Sequence, residues 1–125
     1  FDMVRAVTEK NQKRALDLYY DLLTLREPPM RILFLLAKQF RQICLTKKMS
    51  QEGLSQTEIA SKLGVPSFVV RNLASCARSY TVEELENVVR DFVDAEEAVK
   101  TGTLGDVLSV ELLIVKYSSA RAVRA

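Results

Sequence analysis

The chain contains no histidine, and among its 125 residues only two are cysteine, three proline and four glycine. Each scarcity removes a class of chemistry. Without histidine, neither a Ser-His nor a Cys-His nucleophile pair can be assembled. A zinc site of mixed Cys and His ligands is equally out of reach. Cys44 and Cys76 stand in apolar helical surroundings and read as buried thiols, in keeping with the interior preference of cysteine. A disulfide between them stays open at this point, although an intracellular chain does not ordinarily carry one. No GxxxxGK[ST] loop occurs, so nucleotide binding of the P-loop kind is not expected. The longest unbroken apolar run, Ile32–Ala37, falls far short of the roughly 20 residues a membrane span needs, so no membrane partner is expected. The chain starts Phe-Asp-Met with no basic–apolar–small leader pattern. It is therefore expected to be a piece of a longer protein and not a secretory precursor.

What is present is ordinary for a globular domain: 48% hydrophobic and 27% charged residues, with a net charge of +2. That charge is too small to imply a polyanion by itself. A chain of this length is expected to form one domain, burying roughly two-thirds of its unfolded surface.

The apolar pattern is helical throughout, and no sustained alternation of period two competes with it. The organising stretch is Pro28–Gln51, PPMRILFLLAKQFRQICLTKKMSQ. Its prolines suit a first helical turn, where a missing N–H costs nothing. Five consecutive apolar residues from Ile32 to Leu36 point all round the helix, so this start is expected to be covered on most sides. Farther on, Phe40, Ile43, Cys44 and Leu45 form an apolar stripe opposite a basic side of Lys38, Arg41, Lys47 and Lys48.

Before it, Phe1, Val4 and Val7 mark a short helix. Asn11 closes that helix through its tolerance of left-handed geometry. A second helix follows to about Leu25, with Ala15, Leu16, Tyr19, Leu22 and Leu23 on one face. After the central helix, Ser55-Gln56-Thr57-Glu58 and Thr81-Val82-Glu83-Glu84 are two capping boxes. The first opens a short helix that Gly64 ends. Pro66 starts the next, with Val69, Leu73, Cys76 and Tyr80 on its face. The second box opens a long helix with the stripe Val82, Leu85, Val88, Val89, Phe92 and Val99. Asp106 is taken as the N-cap of a final helix through Tyr117, with Leu108, Leu112 and Val115 plus Val110, Leu113 and Ile114 as its apolar residues. The fold class is thus all-α, a single-domain bundle of about seven helices over residues 1–118, with a flexible basic tail at 119–125.

Several constellations bear on function. Leu54–Ala77 resembles a helix-turn-helix pair, in which the second helix would have to offer donors and acceptors to base edges. Within residues 67–78 only Arg71 and Asn72 are suited to that, while Phe68, Val69 and Val70 are packing residues. Arg31, Lys38 and Arg41 on the central helix, with Glu111 on the last, are candidates for a polar rim facing another subunit. Residues 1–53 hold ten Lys and Arg against six Asp and Glu, whereas 54–125 hold eight against ten. Such a division suits side-by-side packing through complementary surfaces. Lys100 and Thr103, in the Lys-Thr-Gly-Thr helix end, are candidate contacts to a nucleic-acid backbone. The carboxylates Glu83, Glu84, Glu86, Asp91, Asp94, Glu96 and Glu97 are strung along one helix and read as a solvated face, not a metal or acid–base site.

These segments, taken in order, resemble a known family. F-D-M-V, A-L-D-L-Y-Y-D-L-L, P-P-M-R-I-L-F-L-L-A-K-Q-F-R-Q-I, G-L-S-Q-T-E-I-A-S-K-L-G-V-P-S-F-V-V, S-Y-T-V-E-E-L, A-V-K-T-G-T-L and V-E-L-L-I-V-K-Y together are similar to the C-terminal domain of the delta subunit of bacterial DNA polymerase III. The likeness runs from Phe1 to about Tyr117, and Asn11 departs from the glycine expected in its turn. The resemblance implies a helical collar domain that packs on its counterparts in the other clamp-loader subunits, delta-prime and gamma/tau. It further implies clamp-opening and ATPase-like modules upstream, a cytoplasmic replication protein belonging to a polymerase holoenzyme, and no enzymatic activity or cofactor in this fragment. The alternative from the residues alone is a duplex-reading helix-turn-helix domain.

Overall fold

The computed structural model describes residues 2–119. Phe1 and most of the expected basic tail, 120–125, lie outside the described residues. Among the described residues the chain forms seven helices and no strand: α1 (Asp2–Thr8), α2 (Gln12–Thr24), α3 (Pro29–Gln51), α4 (Gln56–Leu63), α5 (Ser67–Ala77), α6 (Val82–Lys100) and α7 (Asp106–Ser118).

Both capping boxes are formed. Ser55 Oγ accepts from Glu58 N at 3.2 Å while Ser55 N donates to Glu58 Oε1 at 2.9 Å. Thr81 and Glu84 repeat the arrangement at 3.1 and 2.8 Å. Pro28 N-caps α3 and places Pro29 at its first position, where an N–H would be unpaired anyway.

Helices α1, α2, α3, α4 and α6 end alike. In each, the amide just after a left-handed residue bonds a carbonyl five residues back, as in Val65 N to Ala60 O at 3.1 Å and Asn11 N to Ala6 O at 2.9 Å. The residue inside this turn must be left-handed. Glycine supplies it at Gly53, Gly64 and Gly102, but Lys10 (φ 63°) and Arg26 (φ 65°) supply it after α1 and α2. The expected role of Asn11 is therefore corrected. Lys10 makes the left-handed turn, and Asn11 instead N-caps α2, its side chain accepting from Arg14 N at 3.2 Å. The cap of α7 is corrected too: Gly105 is the N-cap and Asp106 the first helical residue, its carboxylate accepting from Val107 N at 2.7 Å.

Helix α3 runs through the middle and packs on α1, α4, α5, α6 and α7. Its inward residues Ile32, Leu33, Leu36, Phe40, Ile43 and Cys44 are all buried. Phe40 is its centre, with Phe92 of α6 at 5.6 Å and Tyr80 edge-on at 6.3 Å between ring centroids. Both cysteines are buried free thiols. A separate small cluster of Ile59, Ala60 and Val70 joins α4 to α5. Lys47 ties that pair's far end to α3, its ammonium donating to the carbonyls of Ala77 (3.0 Å) and Tyr80 (2.6 Å).

The expectation that Ile32–Leu36 is covered on most sides is not met. Phe34 is 51% and Leu35 52% exposed. At about 100° per residue, a helix that turns positions 32, 33 and 36 inward must turn 34 and 35 outward. The final helix shows the same split, because Val110, Leu113 and Ile114 are buried while Leu108 and Leu112 are left in the open. In both helices the surplus of apolar residues exceeds what one core can cover.

Candidate docking surface

The exposed side of α3 is a regular stripe. Arg31, Phe34, Lys38, Arg41 and Leu45 fall at i, i+3, i+7, i+10 and i+14, the spacing of one helical face, and all five are exposed. Helix α6 lies antiparallel beside it, as shown by two contacts at opposite ends. Lys48 near the end of α3 pairs with Glu86 near the start of α6 at 2.6 Å, whereas Phe34 near the start of α3 shares a groove with Val93 and Glu96 toward the end of α6. That groove has a volume of about 360 Å³. Its floor is Leu33, Ala37 and Phe92, its α3 wall Phe34, Lys38 and Arg41, and its α6 wall Val93 and Glu96. Val93 is 53% exposed.

The charges on the two walls differ in state. Glu96 is held by Lys100 at 2.7 Å, and Lys48 by Glu86. Lys38 and Arg41 make no ion pair among the described residues. Arg31 stands farther along the stripe with only a long contact to Glu27, 3.9 Å, of a kind that contributes little at an exposed site.

The candidate residues from the sequence are not one cluster. Lys38 and Arg41 line the α3–α6 groove together, but Glu111 belongs to the α2–α7 side, where Tyr20 donates to its carboxylate at 2.8 Å. The hydrogen bond to Glu111 is the main reason the Tyr20 hydroxyl titrates above its ordinary range. Beside it Tyr19 donates to Val107 O at 2.8 Å. Burial, helped by Glu111 and Asp106, pushes the Tyr19 pKa up to about 12, so the hydroxyl keeps its proton and its bond. A third feature went unread in the sequence. Leu18, Leu22, Ile32, Leu35 and Leu36, with Met3, line a mostly apolar cleft of about 310 Å³ between α1, α2 and α3.

The helix-turn-helix pair exists as geometry, with Gln56 Nε2 of α4 donating to Ser67 O at the start of α5 at 2.9 Å. Its outer face is a poor reader. Phe68 projects at 62% exposure, Arg71 is exposed and Asn72 half-buried. The Lys100–Thr103 tip is likewise occupied with itself, Lys100 paired to Glu96 and the Thr101 and Thr103 hydroxyls 3.0 Å apart. Among the described residues no group of three or more Cys, Asp or Glu could hold a metal ion, and no helix is long and apolar enough to cross a membrane.

Residues 1–117 match the family described as DNA polymerase III delta subunit, C-terminal domain. The chain belongs to that family. It is similar to DNA polymerase III subunit delta of Bacillus subtilis, with 31% identity over 116 residues, which is 93% of this chain and 33% of that protein. Its fold superposes on the Bacillus subtilis DNA clamp loader delta protein with a TM-score of 0.87 and 30% identity, over 94% of this chain and 35% of the other. The chain thus spans about a third of the length of these relatives. Membership in the delta family does not favour the duplex-reading alternative.

Proposed function

We propose that this chain is a collar domain, the part of a clamp-loader delta subunit that packs on neighbouring subunits and holds the loader together while it places a sliding clamp on DNA. The observation that carries this is the apolar surface left open along two helices. Phe34, Leu35 and Leu45 of α3 and Leu108 and Leu112 of α7 are all exposed, although the same helices supply the core. Large apolar side chains left open beside polar groups are the kind of surface that a protein partner covers. Arg31, Lys38 and Arg41 border the open residues of α3, and Glu111, on a separate face, shares α7 with Leu108 and Leu112. The partners in this reading are the delta-prime and gamma/tau subunits, and the chain works in the cytoplasm as a non-enzymatic piece of the polymerase holoenzyme. Contact with the sliding clamp belongs to segments outside this chain, and DNA is met only indirectly.

Light scattering after size exclusion tests the proposal, with the domain alone and mixed with the other loader subunits. Entry of the domain into a stoichiometric complex is the expected result. A monomer that ignores those subunits yet retards duplex DNA, with the retardation lost in Arg71→Ala and Asn72→Ala and weakened by salt, would overturn it.

A further inference from the structure

We infer that the groove between α3 and α6 is the seat for one amphipathic helix of a neighbouring clamp-loader subunit, a helix that lays an apolar side chain against Phe34 and Val93 and offers a carboxylate to Lys38 and Arg41. This deepens the collar reading and rests on it.

Shape selects the occupant first. Two antiparallel helices with outward residues at i, i+3 or i+4 and i+7 leave a straight furrow between ridges, which a third helix fills by the same ridge spacing. Phe34 and Val93 face each other across that furrow as its apolar anchors, both about half in solvent. A helix carrying an apolar pair four residues apart matches them.

Charge selects next. The α6 wall is already neutralised, Glu96 by Lys100 and Glu86 by Lys48. The α3 wall is not, because Lys38 and Arg41 stand one helical turn apart, exposed, and without an ion pair among the described residues. The unmatched charge is therefore positive and lies on one side, so the occupant's carboxylate has one orientation that suits. A desolvated arginine–carboxylate pair also fixes register through its bidentate geometry. A nucleic-acid strand fits this groove less well. Its apolar anchors, Phe34 and Val93, would face sugar and phosphate.

The test uses the full-length delta chain and the remaining loader subunits. Three variants are compared: Phe34→Glu, the double reversal Lys38→Glu with Arg41→Glu, and Leu108→Glu with Leu112→Glu on α7. Each is first checked for an unchanged helical spectrum and melting temperature, with Phe34→Ala in reserve should the glutamate disturb folding. Complex formation is then titrated by light scattering and duplex DNA retention by anisotropy. The groove variants are expected to weaken incorporation by about tenfold or more, the size of effect that central anchors and desolvated charges produce. Incorporation lost only in the α7 variant overturns the groove and leaves the collar reading standing. Wild-type incorporation in all three overturns both. Unchanged incorporation with lost DNA retention in the charge reversal would assign the groove to nucleic acid and overturn this inference.

Discussion

Helix α3 carries two phenylalanines six residues apart with opposite fates, and replacing each by alanine separates the core from the surface. Phe40 is 1% exposed and stacked between Phe92 and Tyr80. Truncating a buried phenylalanine removes its transfer free energy and leaves a cavity, about 3–5 kcal/mol in all. Rings on both sides put Phe40→Ala toward the upper end, since each edge or offset contact adds about 0.5–1.5 kcal/mol. Phe34 is half in water already and its neighbours on the open side are solvent. Phe34→Ala is therefore expected to lose less than about 1 kcal/mol. Urea unfolding followed by circular dichroism gives both values, provided the denaturant slope is the same in the two variants. For a domain of this size the Phe40 variant is expected to melt roughly 10–20 °C lower and the Phe34 variant within about 4 °C of the parent. Equal losses would refute the assignment of α3's buried and open faces, and with it the claim that Phe34 is kept for a partner.

Other perturbations probe the joints between helices. Lys47→Met removes the donor shared by the Ala77 and Tyr80 carbonyls and is expected to lower stability by about 1–2 kcal/mol in the same urea assay. Gly64→Ala puts a side chain at φ 69°, where the space is open but the backbone is not favourable, so a loss of about 1 kcal/mol is expected with no change in the helical spectrum. Backbone and side-chain hydrogen bonds from Ser55 hold the Glu58 carboxyl below its ordinary range. A depressed folded value stabilises above the unfolded pKa of about 4.3 and is lost as pH falls through the folded value. Protection of the α4 amides, taken relative to their intrinsic exchange rate at each pH, is therefore expected to fall below that point, and Glu58→Gln is expected to flatten the dependence. An equally steep acid response in the glutamine variant would show that the capping carboxylate is not its source.

Much of the fold was legible because its signals are local. The boxes at Ser55 and Thr81, the stop at Gly64 and the prolines opening α3 are set by neighbours within four residues. They appear in the string as they appear in space. The turn after α1 was misread for a related reason. A left-handed residue was sought in Asn11, the type that tolerates it best, but the hydrogen-bond ring closing α1 fixes that position one residue earlier, at Lys10.

By itself, then, the amino-acid sequence determined seven helices, the two capping boxes at Ser55 and Thr81, the absence of histidine chemistry and the likeness to the delta family. Tertiary structure alone decided which apolar residues are core and which are surface. Ile32–Leu36 and Leu108–Ile114 are apolar nearly all round, so periodicity gave no preferred face. The choice was made by how α3 and α7 lie against their neighbours, which leaves Phe34, Leu35, Leu108 and Leu112 in the open. The same packing separated Glu111 from Lys38 and Arg41. Side chains far apart in sequence are brought to one wall, or kept on two, only by where the helices cross.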